Sequence, residues 1–82
     1  MLENRENILK MRQEIQPIIN EYNKRIISKG NIAFHLMQEP SPWISGMNKS
    51  YRSRLITAAM LRMGWKVYSG KKEKAVRVFV RA

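Results

Sequence analysis

Apolar residues recur every three or four positions through the first third of the chain. Ile8, Met11, Ile15, Ile18 and Tyr22 alternate spacings of three and four, and Ile19, Ile26 and Ile27 widen the stripe. That period predicts an amphipathic helix. Pro17 interrupts it. Inside a helix a proline removes one hydrogen bond and presses on the turn before it, whereas in a first turn it is at home. The pattern therefore predicts a kink or break near residues 13–16, with a leading helix over 3–16 and a core helix over 17–28. Lys29, Gly30 and Asn31 read as the stop: a cation in the last turn, then two residues that tolerate left-handed geometry. The leading helix is spaced like a coiled-coil seam for two heptads, so it can pair with a second copy or fold back to complete a small core.

Residues 31–38 form a short apolar segment. Asn31 suits a cap, and Ile32 and Leu36, with Phe34 and Met37 beside them, suit a second core helix. His35 lies among these apolar neighbours with no second ligand or base at useful spacing, so it is read as structural. Residues 39–47 hold two prolines, two serines and a glycine, which predicts a loop. Trp43, in its middle, is expected to plug the gap between the second and third core helices. Its alternative role is stacking on a base or a partner.

A third core helix is predicted over 48–63, with Asn48 or Ser50 as its cap. Ile56, Ala59, Met60 and Met63 share one face, with Leu55 beside them. Ser50, Arg54, Thr57 and Leu61 share the opposite face, flanked by Lys49 and Ser53. Gly64 ends the helix and Trp65 opens a strand. A turn follows at 69–74, and then 75–81 alternates, with Val76, Val78 and Val80 expected to cover the core and Arg77, Phe79 and Arg81 on the other side.

Charge changes the picture. The net charge is +10, and it is unevenly placed. Residues 1–39 carry six basic and five acidic side chains, whereas residues 40–82 carry ten basic and one acidic. A one-sided field of this kind attracts polyanions. Lys49, Arg52, Arg54 and Arg62 have no carboxylate on their own helix to pair with. Small hydroxyls mixed with arginine near a helix N-terminus suit a major groove, where Arg can grip guanine and Ser or Thr can reach bases or phosphates. Lys71, Lys72 and Lys74 would project from the hairpin tip toward a phosphate or the minor groove, and they also guard a sheet edge against aggregation.

The remaining composition narrows the field. Eighty-two residues is one small domain. Without cysteine there is neither a disulfide framework nor a thiolate metal site. The apolar runs fall far short of the about 20 residues that span a bilayer, and the N-terminus is polar and mixed in charge, so no membrane role and a cytoplasmic location are expected. No carboxylate pair, activated nucleophile, glycine-rich phosphate loop or metal set stands out, so neither enzymatic activity nor a cofactor is expected.

The residues Ile32 and Leu36, then Arg54, Ile56, Ala59, Met60, Met63, Gly64 and Trp65, then the basic turn and Val76, Val78 and Val80 carry a resemblance. From about residue 30 onward the chain resembles the winged-helix modules at the C-termini of phage and plasmid replication proteins of the primase–helicase and virulence-associated E type. The resemblance implies an accessory or regulatory protein of a mobile element, in replication or transcription. The fold expected is α+β: a winged helix-turn-helix of three core helices and a C-terminal β-hairpin over 17–82, with an extra N-terminal helix over 1–16. The function expected is binding of double-stranded DNA through helix 48–63 and the basic wing 66–81. Lys49, Ser50, Arg52, Ser53, Arg54, Thr57, Lys71, Lys72 and Lys74 would make the contacts. A protein-binding module, docking through the leading helix and Trp43, is the alternative. A homodimer through the N-terminal helix is compatible with either. RNA binding is disfavoured, because Tyr51, Trp65, Tyr68 and Phe79 form no evident stacking platform.

Overall fold

The computed structural model describes residues 4–69 and 77–81. They form a small α+β domain with the order α1 (Arg5–Tyr22), β1 (Ile26–Ser28), α2 (Lys29–Leu36), α3 (Pro42–Ser45), α4 (Lys49–Arg62), β2 (Trp65–Ser69) and β3 (Arg77–Arg81). The three strands make one antiparallel sheet in the order β1-β3-β2.

The first correction concerns Pro17. α1 is a single helix running through it, so the expected break near residues 13–16 does not occur. The proline and Gln13, whose carbonyl loses its partner, both lie on the exposed side. Water can therefore replace the missing hydrogen bond, while the buried stripe of Ile8, Met11, Ile15 and Ile19 holds the helix together through the defect. At its start Asn4 accepts from the N–H groups of Glu6 and Asn7 at 2.7 and 3.3 Å.

The second correction is the end of that helix. It stops at Tyr22, where Asn23 adopts left-handed geometry (φ 49°, ψ 44°) and its N–H donates to the Ile19 carbonyl at 2.9 Å. The chain then enters β1, within the span where a helix to residue 28 was expected. Lys29, Gly30 and Asn31, expected as a stop, are instead the first turn of α2. Ser28 does the capping, accepting from the Asn31 N–H at 3.1 Å. The stretch 39–47, expected as a loop throughout, contains the short helix α3. Ser41 caps it by accepting from the Ile44 N–H, and Pro42 occupies its first turn. The plug here is Ile44, which is fully buried. Trp43 is half-buried against the core, with the Lys10 ammonium of α1 lying 5.4 Å from its ring centroid.

α4 follows expectation. Asn48 caps it, accepting from the Ser50 and Tyr51 N–H groups at 2.8 and 3.3 Å. Leu55, Ile56, Ala59 and Met60 are its buried residues. Gly64 turns the chain out with φ 94°, a conformation open to glycine and strained for other residues.

The third correction reverses the faces of β3. Phe79 has no exposed surface, and Val78 and Val80 are half-buried. Phe79 sits between Ile27 of β1 and Val67 of β2 in the register, and the neighbouring row pairs Trp65 with Arg81. Opposed residues share a face, so this row faces the helices. The outer face carries Ile26, Val80 and Lys66 in one row and Ser28, Val78 and Tyr68 in the next. Alternation fixes two faces but not their orientation. The large ring at the centre of the middle strand fills the space under the helices better than two valines would. The third valine of the expected core face, Val76, lies outside the described residues.

Candidate nucleic-acid interface

At 100° per residue, the buried positions of α4 leave the arc of Ser50, Arg54, Thr57 and Leu61 pointing away from the core. Ser50, Arg54 and Leu61 are exposed and Thr57 is half-buried. These four are brought onto one stripe about three turns long. Ser53 is half-buried on the flank beside it, whereas Lys49, exposed in the first turn, lies seven residues before Ile56 and so points along the core side of the helix at its N-terminal end. Arg52 likewise lies elsewhere: four and seven residues before Ile56 and Ala59, it shares their side of the helix and is half-buried at its end. It is thus away from the stripe, at the rim of the α4 N-terminus.

Two contacts hold this helix end. The Asn7 side-chain amide donates to the Tyr51 hydroxyl at 2.8 Å, tying the first turn of α4 to the first turn of α1. The Arg54 guanidinium lies 5.8 Å from the Tyr51 ring centroid, a cation–π arrangement that orders a long side chain. Asn48 already occupies the N–H groups of Ser50 and Tyr51, so the free anion-binding capacity of this terminus is reduced largely to what the side chains supply. The Thr57 hydroxyl donates to the Ser53 carbonyl at 3.3 Å and is therefore engaged within the helix.

The charge partition follows the elements, although α1, which bears most of the described carboxylates, packs against α4. Among the described residues the carboxylates are Glu6, Glu14 and Glu21 on α1 and Glu39 just after α2, and none lies on α4, β2 or β3. Lys66 is exposed on the outer face of β2, and Arg81 lies 4.9 Å over the Trp65 ring on β3. Lys71, Lys72 and Lys74, the expected hairpin contacts, lie outside the described residues.

Sequence reasoning did not find the Asn7–Tyr51 tie, for which no local pattern exists, or the pairing of Arg81 with Trp65. It also missed a groove of about 510 Å³ between α1 and α2, lined by Ile18, Glu21, Tyr22, Phe34, His35 and Gln38. There the Tyr22 hydroxyl and His35 Nε2 are hydrogen-bonded at 2.8 Å, with the rings edge to face. His35 is thus held by a partner. Among the described residues no group of three or more His, Cys, Asp or Glu side chains could hold a metal ion, and no helix is long and apolar enough to cross a membrane.

Compared with known proteins, the chain matches no family model, and no curated protein or solved structure matches it significantly.

Proposed function

We propose that this chain is a winged-helix module that binds double-stranded DNA, with α4 entering the major groove and the β2–β3 hairpin flanking it. The observation that carries the reading is α4 itself. It is a capped helix with an exposed stripe of hydroxyl and guanidinium groups, and it carries no carboxylate of its own. The order helix, short strand, helix, helix, helix, two strands, with the first strand pairing the last, suits a winged helix. In that arrangement α2 and α4 are the helix-turn-helix pair, α3 is an insertion in the turn, and the extra N-terminal helix expected over 1–16 is absorbed into α1. Ser50, Arg54 and Thr57 then face base edges, with Ser53 beside them. Lys49, Arg52 and the lysines of the turn hold phosphates.

Neutralising several phosphates makes affinity fall steeply with salt. With six to ten phosphate contacts, raising salt from 50 to 200 mM weakens binding by about 10³–10⁵-fold. A gel-shift series on a mixed-sequence duplex measures this. Binding indifferent to ionic strength, or no binding to any duplex, refutes the reading.

One observation favours the alternative of a protein-binding module. Phe34 and Met37 are 60% and 41% exposed beside the α1–α2 groove, a large apolar exposure for so small a chain. Affinity capture after nuclease treatment separates the two readings, because a partner retained without nucleic acid favours protein docking. The seam residues of α1 are buried within the single chain, so a homodimer through this helix would use its outer side, where Leu9 is exposed.

A further inference from the structure

The exposed stripe of α4 is chemically divided. Its first turns carry Ser50 and Arg54, and its later turns carry Thr57 and Leu61. Thr57 would ordinarily be read as a hydrogen-bonding residue. Its hydroxyl proton is instead spent on the Ser53 carbonyl at 3.3 Å, one turn back in the same helix. Such back-bonding, long at this distance, favours a χ1 that turns the proton toward the backbone and away from an acceptor on a base. The hydroxyl oxygen can still accept from a base donor, but toward a thymine the group Thr57 offers is its methyl. Leu61 follows four residues on, on the same face, and is 51% exposed with no polar atom to justify the exposure. The two make a short apolar strip at the end of a cationic, carboxylate-free helix face.

In the major groove one base presents an apolar group, the C5 methyl of thymine. Resting on the DNA-binding reading above, we infer that Thr57 and Leu61 select thymine by methyl contact, so that the preferred site places thymines under the C-terminal half of α4. The distance between the two residues along the helix axis is about 6 Å. That is close to two base-pair steps of about 3.4 Å each, so two thymines one or two steps apart can each be reached. The occupant is duplex DNA and not an apolar peptide, because the same face carries Arg54 and Ser50 and the helix bears no acidic side chain.

The test pairs a methyl on the protein with a methyl on the DNA. A duplex is first selected from a randomised pool by the full chain. Each thymine is then replaced by uracil, which deletes only the methyl. Contacted positions should weaken binding by about fourfold each, the value of one buried methyl. Thr57→Ser keeps the hydroxyl and deletes the methyl. It should lose about fourfold on the thymine duplex and nothing further on the uracil duplex. Thr57→Val keeps the methyl and deletes the hydroxyl, and should retain the preference. Leu61→Ala should lose the second contact, and thermal melts verify that all three variants fold. If uracil and thymine duplexes bind alike and Thr57→Ser behaves as wild type, the inference is overturned while DNA binding stands. If no duplex is selected at all, both fall.

Discussion

Phe79 is the residue whose substitution tests the fold most directly. It lies in the central strand, has no exposed surface, and is flanked across the sheet by Ile27 and Val67. Truncating it to alanine removes a buried ring and leaves a cavity in the floor on which the helices pack, a change that costs about 3–5 kcal/mol. A domain of this length has a total stability of roughly 4–12 kcal/mol. Phe79→Ala should therefore bring the protein close to unfolding, or past it, at ambient temperature. Phe79→Leu provides a graded version, at about 1–1.5 kcal/mol, or a fall in Tm of about 4–8 °C for each kcal/mol. Val78→Ala and Val80→Ala each remove two methyl-sized groups from half-buried positions on the opposite face and should cost about 1 kcal/mol or less. Urea denaturation followed by far-UV circular dichroism and tryptophan fluorescence ranks the four variants, with Trp65 reporting from the same face as Phe79. If alanine at 78 or 80 costs as much as alanine at 79, the valines cover the core and β3 turns its other face to the helices.

Two further substitutions probe backbone features. Pro17→Ala restores a hydrogen bond on the exposed side of a continuous helix and should raise stability by about 1–3 kcal/mol, less what proline saves in the unfolded chain. A loss of stability in thermal melts would mean that the proline marks a helix start after all. Gly64→Ala should lower stability by about 1 kcal/mol. An added Cβ there meets nothing within 4 Å, so the loss would come from the positive φ and not from a clash. An unchanged Tm would show that the turn relaxes at no cost.

The parts of this fold that could be read from the sequence are those fixed by near neighbours. The α4 start at Asn48, its buried residues and its glycine stop depend on a cap a few residues from what it caps and on a helical period. The stripe of Ser50, Arg54, Thr57 and Leu61 follows from the same period, and the charge partition is a property of the chain itself. α3 was also legible in part, since Ser41 before Pro42 suits a helix start, but the prolines, serines and glycine crowded into nine residues made it resemble a loop.

What the tertiary structure alone decided is of another kind. β1 is three residues long and exists because Ile27 finds Phe79 from the far end of the chain, so no local period could announce it. Which face of β3 turns inward depended on where the helices left room for a ring. Whether Pro17 would break α1 depended on which side of that helix met water. Helices and caps are set by bonds within a few residues and are written locally. Strand partners, the inward side of a sheet and the solvent exposure of a defect are set by residues distant in sequence, so they emerge only when the chain has closed on itself.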